Sequence, residues 1–255
     1  MKISFIIPFH NEEKNCLPMV ERVLNYAKKN SLSFEIIAID DKSTDSTGII
    51  LDKLHKKYPK IVFPIHRKKN DEIKGNTMGK ALLEGTQKAS GKYIIWTMGD
   101  LADDTNTYTD IINKLKLGYD LVFGSRYMPG GSRGNLDPLK AFLSSWGTVL
   151  AHLLFSVQVH DITNAFRGFR KDILKNISLD SSGFSISPEF AIKAHLVGFK
   201  LGEVPTIYTN RIEGISSFKL FRMTREYLRL YIDLLIKQKI LKRYSNSRTH
   251  VSSIA

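Results

Sequence analysis

Tyr93–Asp104, YIIWTMGDLADD, is the stretch on which the fold turns. After the Ser90-Gly91 break, Tyr93, Ile94, Ile95 and Trp96 form an uninterrupted apolar run. A strand that is apolar on both faces belongs at the centre of a parallel sheet, covered on each side. The run stops at Gly99 and delivers three carboxylates, Asp100, Asp103 and Asp104. In open α/β sheets, ligands collect beyond the carboxyl ends of the strands. Carboxylates at such an end can hold a divalent cation against a phosphate, because Mg2+ and Mn2+ favour oxygen ligands. The same residues can equally form an acidic turn that caps the following helix. The stretch alone leaves both readings open.

Outward from it the chain alternates. Lys2–Pro8, Phe34–Ile39, Ile61–Ile65 and Asp120–Gly124 read as further strands. Residues 14–30, 48–58, 81–89 and 107–117 carry apolar residues at helical spacing, and Asn70–Gly79 is a polar loop. Strands alternating with helices predict βαβ units, right-handed crossovers and a mainly parallel central sheet, so the fold class is α/β. Beyond Ser125 the pattern changes. A Gly-rich loop at Met128–Asp137 leads to an apolar helix over Leu139–Val157 and a polar segment at Asp161–Arg170. A helix near Pro188–Leu196, a strand near Lys200–Tyr208 and a basic loop at Asn210–Lys219 follow. The division expected is a main domain over 1–219, an amphipathic helical extension over 220–243 and a disordered tail over 244–255.

Composition narrows the setting. The chain has 255 residues, 42% of them hydrophobic, enough for one sizeable core. The single Cys16 excludes an intrachain disulfide and fits a reducing compartment. The opening MKISFIIPFHNEE has too short an apolar run for a signal peptide, and no stretch approaches the roughly 20 apolar residues that span a bilayer. The expectation is a cytoplasmic protein that can touch the membrane peripherally. Leu220, Met223, Tyr227, Leu230, Tyr231, Leu234 and Leu241 share one stripe, with Arg222, Arg225, Arg229 and Lys237 elsewhere. Such a helix either packs on the domain or lies in an anionic interface. The net charge of +13 points to acidic partners. Nucleic acid is not expected among them, because the basic residues are scattered and the acidic strand ends would repel a backbone.

Two local patterns carry chemistry. Asp40-Asp41 ends a buried strand, where a carboxylate accepts hydrogen bonds from a base N–H or from ribose hydroxyls. Capping of the next helix by Asp41, Ser43 or Thr44 is the alternative. No G-x-G-x-x-G follows either early strand and no G-x-x-x-x-G-K-[ST] is present, which argues against nicotinamide and P-loop folds. Gly124-Ser125-Arg126 ends another strand with an obligate cation, and Arg133, Arg167 and Arg211 lie in three further polar segments. Singly each is a solvated surface arginine; together, on one side of a sheet and facing carboxylates, they would form a diphosphate site.

The order PFHNEE, IDDKSTDST, MGDL, GSRYMPGG, DITNAFRGFR, EVP and R-x-x-G-x-S-S-F-K resembles the inverting glycosyltransferases of family 2, which have the GT-A fold. Within them the likeness is to dolichol-phosphate mannose synthases and related polyprenyl-phosphate glycosyltransferases, over about residues 3–219. The resemblance implies a Rossmann-like sheet flanked by helices and a GDP- or UDP-hexose as donor. It implies a divalent cation, Mg2+ or Mn2+, and a lipid phosphate as acceptor. Pro8, Phe9, Glu12, Asp40 and Asp41 would frame the base and ribose, and Gly79, Lys80 and Gly99 would approach the nucleotide. Asp100 would be the metal ligand. Arg126, Arg133 and Arg211 would hold the diphosphate or the acceptor phosphate. Asp161, Thr163, Asn164, Arg167 and Ser217 would line the acceptor side, with Glu189 near the sugar. The family's usual D-x-D reads Met98-Gly99-Asp100 here, so Asp103 or Asp104 would replace the first carboxylate, or substrate phosphates would hold most of the metal.

The reaction implied moves a hexose from a nucleoside diphosphate with inversion, the cation and arginines stabilising the leaving diphosphate. A phosphate acceptor is already anionic and needs no base. A saccharide hydroxyl would need one, with Asp103 and Asp104 as candidates. A nucleotidyltransferase is a rival reading, but PFHNEEK is not the Gly-rich basic loop it would carry after its first strand. A catalytically degenerate sugar-nucleotide-binding protein is another, on account of Met98.

Overall fold

The computed structural model describes residues 2–68, 76–209 and the helical backbone of 220–251, with side chains described in that helix over 221–238. Seven strands form one sheet: β1 (Lys2–Phe9), β2 (Ser33–Asp41), β3 (Val62–Arg67), β4 (Tyr93–Trp96), β5 (Leu121–Ser125), β6 (Arg167–Arg170) and β7 (Leu201–Pro205). Their spatial order is β3-β2-β1-β4-β6-β5-β7. Every adjacent pair is parallel except those made by β6, which runs antiparallel between β4 and β5. The sheet is therefore mixed and mostly parallel, as its apolar strands predicted. The helices are α1 (Glu13–Lys29), α2 (Thr47–Lys57), α3 (Met78–Lys88), α4 (Asn106–Lys116), α5 (Pro138–Phe155), α6 (Ile186–Val197) and α7 (Leu220–Val251).

Burial of β1, β2 and β4 on both faces fixes these strands at the centre. Ile3, Phe5 and Ile7 point into one layer with Val20, Val23 and Leu24 of α1 and with Tyr108, Ile111 and Leu115 of α4. The rings of Phe5, Tyr26, Tyr108 and Phe166 meet edge-on at 5.1–6.4 Å, a geometry that adds roughly 0.5–1.5 kcal/mol per pair beyond area burial. Trp96, Phe169 and Phe190 form a second aromatic cluster, with centroids 4.9–5.6 Å apart.

Three element expectations change. The polar segment Asp161–Arg170 ends in a strand, β6. Helix α3 begins at Met78, taking in two residues of what read as loop. Helix α7 is a single element that runs past residue 243. The chain divides into two compact units, Met1–Ser217 and Phe218–Ala255.

Candidate active site

Strands β1, β2, β4 and β5 point the same way, so Phe9, Asp41, Trp96 and Ser125 end on one edge of the sheet. Asp40, Asp100 and Arg126 therefore share that edge. Three residues just beyond it hold left-handed backbone without being glycine: Asn11 (φ 55°), Lys42 (φ 63°) and Leu101 (φ 64°). Asparagine adopts this region readily, but Lys42 and Leu101 each cost on the order of 1–2 kcal/mol, and strain of this kind collects where the surroundings over-determine a functional loop.

On the β1–β2 side two loops lock each other. Asn11 N–H donates to Ser43 Oγ at 3.0 Å and Thr44 N–H to Asn11 Oδ1 at 2.7 Å. Glu12 N–H donates to Thr47 Oγ1 and Glu13 N–H to Asp45 Oδ2, while Ser46 N–H donates to Glu13 Oε2. The amino ends of α1 and α2 thus cap one another. That work falls to Glu13, Asp45 and Thr47 rather than to Asp41 or Thr44. Asp40 accepts Ser43 N–H at 3.0 Å and faces His66 Nδ1 at 3.2 Å, whose Nε2 lies 3.0 Å from Asp52. Burial alone would lower the His66 pKa, but the two carboxylates raise it above its ordinary value. Asp41 is turned inward: it pairs with Arg67 and accepts the Thr77 hydroxyl, so it braces β3 and the start of α3. Glu12 accepts the Asn15 side-chain amide, and Pro8 stands half-buried at the end of β1.

Two glycines are set by close approach. A Cβ on Gly99 would meet the Phe9 ring at 2.4 Å and Pro8 O at 2.8 Å, so the loop after β4 lies against the end of β1. A Cβ on Gly79 would meet the carbonyls of Ser181, Ser182 and Gly183 at 2.7–2.9 Å. Lys80 N–H donates to Ser182 O at 3.1 Å, which docks the amino end of α3 on the 181–183 loop. Glu189 holds that loop. Its carboxylate accepts the N–H groups of Asp180 and Ser181 at 2.9 and 2.8 Å and pairs with Lys193 at 2.6 Å. It acts on this edge through the loop it positions.

The three carboxylates after β4 divide their labour. Asp100 is 5% exposed and its Oδ1 accepts Ala102 N–H at 3.2 Å. Asp103 folds back, its Oδ2 accepting Thr97 Oγ1–H and Met98 N–H, both at 2.9 Å. Burial, reinforced by the neighbouring Asp100 charge, raises the Asp103 carboxyl to about 7. Asp104 Oδ1 accepts Asn106 N–H at 2.9 Å and so caps α4. These bonds engage one oxygen of each carboxylate, Oδ2 of Asp103 and Oδ1 of Asp104.

The described arginines find different partners. Arg126 meets Asp161 through two parallel bonds, Nε to Oδ2 at 2.7 Å and Nη2 to Oδ1 at 3.0 Å, and Nη2 also reaches Thr163 Oγ1. Burial alone would raise the Asp161 pKa, but Arg126 holds it below the ordinary value. Asn164 donates to Gly124 O at 2.8 Å, tying the same turn to β5. Arg167 lies in β6, fully buried, donating to the carbonyls of Ile162, Asn164 and Ser187, with its guanidinium 4.9 Å from the Phe123 ring centroid. It supports the Asp161–Asn164 turn from below and offers nothing to a phosphate. Arg133 is exposed on a loop joined to the chain after β7, where Ser132 N–H donates to Thr206 O at 3.0 Å and Tyr208 N–H to Ser132 O at 2.8 Å. Arg211 and Ser217 lie outside the described residues.

Among the described residues no group of three or more His, Cys, Asp or Glu is arranged to hold a metal ion. The donors present fit one kind of cation. Asp100 is the ligand that the resemblance implies, and Mg2+ or Mn2+ taken mostly by diphosphate oxygens and water requires no more than one or two protein carboxylates. Residues that the sequence did not single out hold this edge together: Arg22, Thr77, Tyr108 and Thr209. All are ordinary helix, strand or loop residues by pattern, and only the folded chain brings them here.

The model of the family described as glycosyl transferase family 2 matches residues 4–178. The chain belongs to that family. It is 32% identical over 252 residues to a dolichol-phosphate mannosyltransferase of Pyrococcus furiosus, covering 94% of this chain and 68% of that protein. It is 30% identical over 217 residues to a polyprenol monophosphomannose synthase of Mycolicibacterium smegmatis, covering 83% of this chain and 78% of the relative. Among solved structures, glucosyl-3-phosphoglycerate synthase of Mycobacterium tuberculosis with phosphoglyceric acid superposes with a TM-score of 0.66 at 18% identity, over 91% of this chain and 79% of that one. The same enzyme with Mn2+, uridine diphosphate and phosphoglyceric acid gives 0.62 at 17%, over 92% and 77%. These likenesses show the GT-A fold of this family 2 glycosyltransferase.

Proposed function

We propose that this glycosyltransferase moves a hexose from a GDP- or UDP-sugar to a polyprenyl phosphate, with inversion at the anomeric carbon. The observation that carries the choice of acceptor is the likeness to a dolichol-phosphate mannosyltransferase and a polyprenol monophosphomannose synthase, and the two carboxylates that would serve as base each have one oxygen engaged. Asp103 is tied to Thr97 and Met98, and Asp104 caps α4. An acceptor that arrives as a phosphate brings its own anionic oxygen and needs no base, whereas a saccharide hydroxyl does. The names of the relatives at about 30% identity support the same acceptor class.

In this reading the acceptor oxygen bonds the anomeric carbon as the bond from that carbon to the diphosphate oxygen breaks, and the electron pair leaves with the nucleoside diphosphate. Pro8, Phe9, Glu12 and Asp40 frame the nucleoside at the β1–β2 edge, with Gly79, Lys80 and Gly99 closing on it. A divalent cation on Asp100 would neutralise charge developing on the leaving diphosphate. Arg126, kept oriented by Asp161 and Thr163, marks the acceptor side with Asn164, and Arg133 and Arg211 add positive charge. Peripheral contact with a lipid surface belongs to this reading too. It is supported by α5, whose large apolar residues face outward.

The test offers radiolabelled GDP- and UDP-hexoses with Mg2+ or Mn2+ to three acceptors, a short polyprenyl phosphate, the matching polyprenol and a simple saccharide. Transfer to the phosphate alone, abolished in Asp100→Asn, is expected. Transfer to a saccharide hydroxyl instead would overturn the acceptor. Nucleotide binding without any transfer would leave a degenerate binding protein.

A further inference from the structure

We infer that Arg22, on α1, is a positioning residue for Asp100. The proposal rests on Asp100 serving the bound nucleotide sugar, as read above. Three successive carbonyls beyond Asp100 are each gripped from outside the loop. Arg22 Nη1 donates to Leu101 O at 2.9 Å and to Asp103 O at 3.3 Å. Between them Ala102 O accepts Thr209 N–H at 3.0 Å and Thr209 Oγ1–H at 3.2 Å. The turn is thus clamped between α1 on one side and the segment after β7 on the other.

The clamp matters because the turn is strained. Leu101 holds φ 64° although it carries a Cβ, and its side chain is buried. That conformation puts Ala102 N–H against Asp100 Oδ1 and thereby fixes the carboxylate's direction. Left alone, a leucine prefers negative φ, so a restraint on the Leu101 carbonyl opposes the relaxation that would swing Asp100 away. Arg22 is well placed to supply it. Val20, Val23 and Leu24, around it on α1, are buried in the core, so the helix is a fixed base. A guanidinium carries several donors in a rigid plane, whereas a lysine ammonium is a point donor on a flexible stem that would hold one carbonyl less firmly.

The test compares wild type with Arg22→Met, which keeps much of the length without the donors, and Arg22→Lys, which keeps a donor. Hydrogen exchange at the amides of residues 98–103 should quicken at least about 10- to 100-fold in the Met variant, the range for losing the shorter of the two charged hydrogen bonds, and should partly recover in the Lys variant. The tightening of GDP or UDP binding by Mn2+ should shrink about tenfold, with nucleotide affinity in chelator unchanged. Wild-type exchange over 98–103 in Arg22→Met would overturn the proposal. So would equal weakening of nucleotide binding with and without Mn2+, the mark of a general scaffold role. If wild type binds neither nucleotide with Mn2+, the functional reading fails on its own, and the exchange data still decide whether Arg22 holds the turn.

Discussion

Arg126 and Arg167 look alike in the sequence, each close to a glycine in a stretch of polar residues. In the structure one reaches a buried carboxylate at the edge of the sheet and the other fills the core beneath it, donating to backbone carbonyls and lying over aromatic faces. Residue type told that both need electron-rich partners. Which partner each finds depends on strand order, which local pattern does not carry. Glu35 shows the same limit at the opposite, amino end of the sheet. It reads as one charged residue in FEIIAI, yet it is buried and accepts the Ser4 hydroxyl, the Ser90 N–H and hydroxyl and the Lys2 ammonium. Burial pushes its pKa up, but these bonds more than offset that and bring it down to about 2. A carboxyl depressed in the folded state adds stability that is full above its unfolded pKa of about 4.3 and is lost as pH falls toward the folded value. Glu35→Gln should therefore cost roughly 2–3 kcal/mol at pH 7 and progressively less from pH 5 down to 2. Urea unfolding of both proteins across that range checks it. Since Glu35 stands far from the carboxyl edge, kcat should not change. A stability gap that stays constant with pH would show that the charge is not what holds the cluster.

Helix α5 is inverted relative to an ordinary surface helix. Its buried residues are mostly small, namely Ala141, Gly147, Thr148 and Ala151, with Phe155 at the end. Leu139, Phe142, Trp146, Val149 and Leu153 recur at helical spacing on the opposite side, 46–69% exposed. No Asp or Glu occurs between Asp137 and Asp161, and Lys140 lies at the start of the helix. Tyr127, next to Arg126, bonds to Ala141 O at 3.2 Å and to the Ser144 hydroxyl, which joins the helix to the end of β5 at the carboxyl edge. An apolar, acid-free face with aromatic residues suits an anionic lipid surface. Replacing Phe142 and Trp146 together by Ser should weaken binding to phosphatidylserine vesicles on the order of tenfold or more, while leaving nucleotide affinity and thermal stability near wild type. Unchanged vesicle binding would leave this face to another partner. The element itself was legible from its apolar residues. Its outward face was not, because size alone separates the buried from the exposed side. Strands β1, β2, β4 and β5 were legible because they are near-continuous apolar runs. Strand β6 was not, because Arg167-Gly168-Phe169-Arg170 holds one large apolar residue among polar ones, and its strand identity comes only from pairing with both β4 and β5.

Charge is distributed unevenly over the whole molecule. In residues 218–255 Lys and Arg outnumber Asp and Glu nine to two, which supplies more than half of the chain's net +13. This charge falls in the second of the chain's two compact units, Phe218–Ala255. In the function proposed above, each unit would contribute a different kind of lipid contact: the first an apolar stripe on α5, the second a dense positive charge. Salt distinguishes them. Screening shortens electrostatic reach from about 10 Å at 0.1 M to about 3 Å at 1 M, while apolar contact is not weakened by salt. Full-length protein should bind phosphatidylserine vesicles strongly at low salt and lose most of that affinity as salt rises, since each basic residue near an anionic surface is worth about 1 kcal/mol. A chain ending at Ser217 should bind more weakly at low salt, change little with salt, and bind GDP or UDP like the full chain. Vesicle co-sedimentation across a salt series, with nucleotide calorimetry on the same preparations, measures all three. Identical salt dependence of the two chains would show that the basic second unit does not meet the lipid, and loss of nucleotide binding on truncation would show that the nucleotide site extends beyond residue 217.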